Sequence, residues 1–183
     1  MTAMTNRALA SLRQKGVVHP FGAVENGSGV AIYQTGGLPD AESKRSLMNA
    51  MRLASNDMPG DRSALCLEGW TISTRTPTSK AILAQLQADG RSIRDHPEAV
   101  EALFVSIESD EGHSTRIIPL TRTAAGVALG PVGDDFQPAP NTSEGEMTGF
   151  HVTPDMRSDA RFRGYMDMVR FMLANQHEGM LAN

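Results

Sequence analysis

The stretch 102–121, ALFVSIESDEGHSTRIIPLT, constrains the fold more than any other part of the chain. Apolar residues alternate on both sides of Asp110-Glu111-Gly112, and period two is the signature of a strand that buries one face. The two halves therefore read as one long β-hairpin. A three-residue connection suits Gly112, which takes a positive φ without a Cβ clash. That connection pairs Ser109 with His113, Val105 with Ile117 and Ile107 with Thr115, so that Leu103, Val105 and Ile107 share a face with Ile117. The second face then holds Phe104 with Ile118, Ser106 with Arg116 and Glu108 with Ser114. A slip of one residue sets Val105 against Arg116 and Ile107 against Ser114, and the three-residue turn is preferred on that comparison. Pro119 cannot donate a ladder bond, which places the strand at an edge there or ends it soon after.

A second hairpin is expected at 17–24 and 28–35, turning at Asn26-Gly27, with Phe21 facing Ile32, Ala23 facing Val30 and His19 opposite Gln34. Residues 62–74 form a further strand, and the apolar run 64–67 reads as central in its sheet. Gly69 marks a candidate bulge beside Trp70. Helices are expected at 3–15, stopped by Gly16, at 41–56, at 77–89 with Ile82, Leu83 and Leu86 inward, and at 158–176 within an amphipathic segment, 155–178. Short strands are expected at 126–129 and 149–152, and the Gly-, Pro- and acid-rich stretch 130–149 reads as a loop. Two tight hairpins among separated helices make a single α+β domain over residues 1–183, with one antiparallel sheet of about five strands and helices packed on it.

This element order, over roughly residues 3–121, is similar to that of roadblock and profilin-like modules, and the resemblance implies a five-stranded sheet carrying helices. The stretches HPFGAVENGSG and ALFVSIESDEGHSTRIIPLTR also resemble small bacterial proteins, a likeness that implies no particular activity.

The net charge of −4 gives no reason to expect binding to nucleic acid or to an anionic membrane. Cys66 is the only cysteine, so no intramolecular disulfide forms, and between Leu65 and Leu67 its thiol reads as a small buried hydrophobe. No apolar run approaches a membrane span, and the first residues lack a signal-peptide core, so the cytoplasm is the expected location.

Five histidines, at 19, 96, 113, 151 and 177, show no metal-binding spacing, and neither a metal nor another cofactor is expected. His113 beside the turn reads as solvated. Glu68, Glu108 and Asp110 are the carboxylates considered for acid–base work; Glu108 reads as a surface ion-pair partner of Arg116. No phosphate-loop glycine motif and no nucleophile elbow occurs. The leading expectation is a non-catalytic protein-interaction module that pairs with itself, and with another protein, through a sheet edge or the last helix. The helix residues concerned are Phe162, Tyr165, Met166, Met168, Val169 and Met172, in a methionine-rich surface. The alternative is a small-ligand sensor or enzyme with a pocket near His19, Glu68 and Trp70.

Overall fold

The hairpin anticipated at 102–121 is present and lies inside a larger antiparallel sheet. The computed structural model describes residues 2–27, 29–34, 41–72, 77–131, 133–138 and 149–181. In chain order the elements are α1 (Thr2–Lys15), β1 (Phe21–Asn26), β2 (Gly29–Gln34), α2 (Ala41–Asp57), β3 (Arg62–Thr71), α3 (Pro77–Ala88), β4 (Val100–Ser109), β5 (Gly112–Thr123), β6 (Gly126–Leu129), β7 (Gly133–Pro138), α4 (Pro154–Ser158) and α5 (Ala160–Leu181). The strands run in the order β2-β1-β3-β4-β5-β6, and β7 pairs with β5. Every pair is antiparallel, so the fold is α+β.

The long hairpin adopts the register that the sequence argument rejected. Ser109 pairs with Gly112, Val105 with Arg116, Phe104 with Ile117 and Leu103 with Ile118. Asp110 and Glu111 alone make the turn, neither has a positive φ, and Gly112 takes φ 149° as the first residue of β5. The slip moves β5 to its other face. Ile118 and Leu120 then join Leu103 and Val105 in one core cluster, two large aliphatic side chains where the expected register offered Ile117. The same slip sets Glu108 opposite His113 and Ser106 opposite Thr115. His113 is consequently buried, not solvated, and Glu108 is buried on the face away from Arg116, not a surface ion-pair partner.

In the first hairpin the closing pair is Asn26 and Gly29, with the Gly29 N–H donated to Asn26 Oδ1 at 3.1 Å. Ala23 therefore faces Ile32, and Phe21, not His19, faces Gln34. This shift of two positions leaves every side chain on its expected face.

β3 lies between β1 and β4, as its apolar run implied, and its register with β4 is unbroken from Arg62 to Thr71, without the bulge anticipated at Gly69. A Cβ on Gly69 would stand 3.2 Å from the Phe104 ring, so close packing accounts for that glycine. β7 replaces part of the expected loop 130–149, and residues 139–148 lie outside those described. β5 carries β7 along Gly112–Ile117 and β6 from Leu120 to Thr123, with Pro119 where the outer partner changes. The strand expected at 149–152 is instead an irregular strap, with Gly149 at φ 71° and a bend at His151, without a strand partner among the described residues. The final helix is divided at Asp159, whose Oδ1 accepts the N–H groups of Arg161 at 2.6 Å and Phe162 at 3.3 Å and so caps α5.

The helices cover both faces of the sheet. α1 contributes Ala8 and Leu12 to a core with Phe21, Cys66, Leu103 and Val105. On the other face α2 contributes Leu47, Met48 and Met51, which pack with Val24, Leu65 and Phe150 of the strap. α5 packs against α2. Among the described residues, no helix is long and apolar enough to cross a membrane.

Candidate functional site

A dense polar cluster lies where the strap crosses the ends of β3 and β4. Glu108 is 3% exposed, and its carboxylate accepts three consecutive backbone N–H groups: Gly149 at 2.7 Å, Phe150 at 2.8 Å and His151 at 2.9 Å. These amides have no ladder to join, and an ionised carboxylate is the strongest acceptor a side chain can offer. Arg52 Nε donates to the Gly149 carbonyl at 2.7 Å, and the Val152 N–H donates to Ser55 Oγ at 2.9 Å. The strap is thus tied to β4 on one side and α2 on the other.

His151 extends this cluster. Its Nδ1 lies 3.1 Å from Ser63 Oγ, and its Nε2 lies 3.2 Å from Asp110 Oδ1. An ionised Asp110 only accepts, so in the neutral ring Nε2 carries the proton and Nδ1 accepts from the Ser63 hydroxyl. Serine, histidine and aspartate in that order have the connectivity of a nucleophilic triad. The surroundings differ from those such a triad needs. Ser63 is 0% exposed, so its hydroxyl meets no solvent-borne substrate. Glu108 is its register partner on β4, and a carboxylate there opposes the negative charge that acyl transfer develops. The adjacent backbone N–H groups, which could form an oxyanion hole, are taken by that same carboxylate. Through buried Ser63 and His151 and exposed Asp110, this chain ties the strap to the sheet.

Glu68 belongs to a second network, on the α1 face. Its Oε1 accepts the Val18 N–H at 2.6 Å, and its Oε2 accepts from Arg122 Nη2 at 2.6 Å. Arg122 also donates through Nε to both oxygens of Glu101, at 3.0 and 2.9 Å, and through Nη1 to the Gly16 carbonyl. Burial raises the Glu68 carboxyl above its usual value; the Val18 N–H and Arg122 act against that rise, and Glu101 adds to it. Arg122 is raised chiefly by its hydrogen bond to Glu101. Both oxygens of Glu68 are therefore engaged in joining β3 to the α1–β1 connection and to β5.

Trp70 follows Glu68 along the same face of β3, with the Arg94 guanidinium 5.6 Å from its ring centroid. His19 lines a cleft between α1 and the hairpin β1–β2, and neither Glu68 nor Trp70 lines it. Burial pushes the Cys66 thiol up to about 12, with Glu68 adding a smaller effect, so it remains protonated and inert. Among the described residues, no group of three or more His, Cys, Asp or Glu side chains is arranged to hold a metal ion.

On α5 the structure divides the residues grouped for interaction. Met166 and Val169 are buried, and Tyr165 donates its hydroxyl to Asn49 Oδ1 of α2 at 2.7 Å, so these three face inward with the half-buried Phe162. Met168 and Met172 face outward, 51% and 46% exposed, and Phe171 between them is 70% exposed. Phe171 was missed because helical spacing alone does not say which of two apolar stripes meets α2. Ser63 and His151 were missed because 88 positions separate them and no spacing motif joins them. Comparison with known protein families, curated proteins and solved structures returned no match.

Proposed function

We propose that the protein is a non-catalytic interaction module that pairs with a second copy of itself through the outer stripe of α5. The observation behind this reading is the set Met168, Phe171 and Met172, at i, i+3 and i+4, exposed together on one helix face. Single exposed apolar side chains need no explanation, but three large ones in a continuous stripe expose surface whose burial stabilises by about 1.5–3 kcal/mol per side chain. Gly164 lies one turn before Met168 on the same stripe, and a Cβ there would meet nothing within 4 Å. A glycine inside an exposed helix costs about 1 kcal/mol relative to alanine and has no packing reason among the described residues; close approach of a second helix supplies one. A two-fold axis lets the same stripe serve both partners.

Sedimentation velocity and light scattering over a wide concentration range test the reading. A dimer is expected for the native chain, and Phe171→Glu is expected to convert it to a monomer with an unchanged circular dichroism spectrum. A strict monomer at every concentration, or a dimer indifferent to both Phe171→Glu and Met168→Glu, would sink the proposal. Truncation of α5 is the poorer test, because Met166 and Val169 belong to the core.

A further inference from the structure

The cleft that His19 lines has a volume of about 230 Å³, and Arg7, Gln14, Lys15 and Gln34 surround it with the buried Phe21 ring in its wall. Arg7 and Lys15 are cations, the His19 ring adds an N–H donor, and no carboxylate is among the lining residues. In a chain of net charge −4, an uncompensated basic cleft stands against the average of the surface.

The ordinary reasons for cations on a helix do not cover these. α1 contains no Asp or Glu, so Arg7 and Lys15 have no counter-ion within the helix. The carbonyl end of α1 already has donors: the Gly16 N–H bonds the Leu12 carbonyl at 2.9 Å, and Arg122 reaches the Gly16 carbonyl. Among the described residues, the side chains of Arg7, Gln14, Lys15, His19 and Gln34 make no hydrogen bond or ion pair. The Arg7 guanidinium lies 5.4 Å from the Phe21 ring centroid, a contact that orders the side chain without an oxygen acceptor.

We infer that this cleft binds a small phosphorylated compound, with its phosphate held by Arg7, Lys15 and His19 and its organic part by the Gln14 and Gln34 amides. A phosphate group offers three strong acceptor oxygens to the two cationic side chains and the imidazole N–H, and the guanidinium fork can take two of them at once. The amides present both donors and acceptors, which suits hydroxyl groups on the remainder. Drug-sized ligands occupy pockets of about 300–1,000 Å³, so the smaller volume here selects a phosphomonoester of a few carbons over a nucleotide. The cleft lies at α1, whereas the outer stripe of α5 lies beyond α2 on the opposite face of the sheet, so the two proposals stand or fall separately.

The full chain is titrated with inorganic phosphate and with glycerol 3-phosphate at constant ionic strength, with glycerol and chloride as controls, by calorimetry and phosphorus NMR. Saturable binding of both phosphates is expected, weakened about tenfold or more by Arg7→Gln and by Lys15→Gln. Arg13→Gln removes the same charge from the same helix outside the cleft and is expected to leave binding unchanged. All three side chains are exposed, and unchanged thermal midpoints verify that the variants fold. Absence of saturable binding, or equal weakening by Arg13→Gln, would overturn the assignment.

Discussion

Glu108 and His151 lie 43 positions apart in the chain, yet the buried carboxylate of the first accepts the backbone N–H of the second at 2.9 Å. With Gly149 and Phe150 bound to the same carboxylate, one side chain does for the strap what a neighbouring strand does elsewhere in the sheet. The strap in turn delivers Phe150 to the core beneath α2. A charged residue in β4 thereby decides how a segment far along the sequence closes one face of the fold.

Replacement of Glu108 by alanine leaves three N–H groups without their acceptor. The expected loss is about 3 kcal/mol or more, since a hydrogen bond to a charged group contributes about 1.5–3 kcal/mol. Glu108→Gln keeps one acceptor oxygen and should lose less. Urea denaturation measures the order, and amide exchange at 149–151 should quicken far more than exchange in β3.

Gly22 has a different constraint. A Cβ at this position would stand 1.9 Å from Met51 Sδ, and Met51 is fully buried, so it has little room to withdraw. Gly22→Ala should destabilise by about 1–3 kcal/mol through overpacking, and Met51→Ala by about 2–5 kcal/mol through the cavity it leaves. The added methyl partly fills that cavity. The double variant should therefore fall short of the sum by about 1 kcal/mol or more, and additive losses would show that the two sites do not meet.

These contacts show which parts of the fold were legible in the sequence. Alternation revealed both hairpins, because period two is a property of each strand alone. The register of the long hairpin was not local, since each alternative offered aliphatic pairs. The choice depended on α1 covering Ile118 and Leu120 beside Leu103. β7 was hidden for a related reason. Its sequence, GDDFQP, has the residues of a loop, and it becomes a strand because the outer edge of β5 offers unpaired backbone groups. Glu68 was recognisable as a carboxylate worth attention beside Trp70, but its partners Val18 and Arg122 come from other elements, and no local spacing announces them.

Glu68 should make stability depend on pH in a definite direction. Its carboxyl is raised in the folded chain, chiefly by burial, so the folded state holds that proton more tightly than the unfolded state does. Its contribution is full below the ordinary carboxylate value of about 4.3 and declines as pH rises through the raised value. Glu68→Gln removes this titration and leaves Glu101 and Arg122 in place. The stability of the native chain minus that of Glu68→Gln should therefore fall as pH rises above the ordinary carboxylate value of about 4.3 in parallel urea titrations. A difference that is flat, or that grows toward neutral pH, would mean that Arg122 and the Val18 N–H outweigh burial.

Cys66 provides a readout of opening on the α1 face. Its side chain lies in the core beside Phe21 and Val105, and burial pushes its thiol up to about 12, so neither access nor ionisation favours reaction in the folded chain. A free cysteine in water has a pKa of about 8.5 and reacts readily at mildly alkaline pH. Iodoacetamide at pH 8 should therefore label Cys66 only through molecules that have opened, at a rate that follows the unfolding equilibrium and rises with added urea. Leu12→Ala, which removes a side chain of α1 from the same cluster, should accelerate labelling by orders of magnitude through its cost of about 2–5 kcal/mol. Glu108→Ala acts on the opposite face, and its effect on labelling discriminates two modes of opening. Acceleration matching its loss of global stability means that the two faces open together, whereas a much smaller effect means that the strap comes free while α1 stays closed over Cys66.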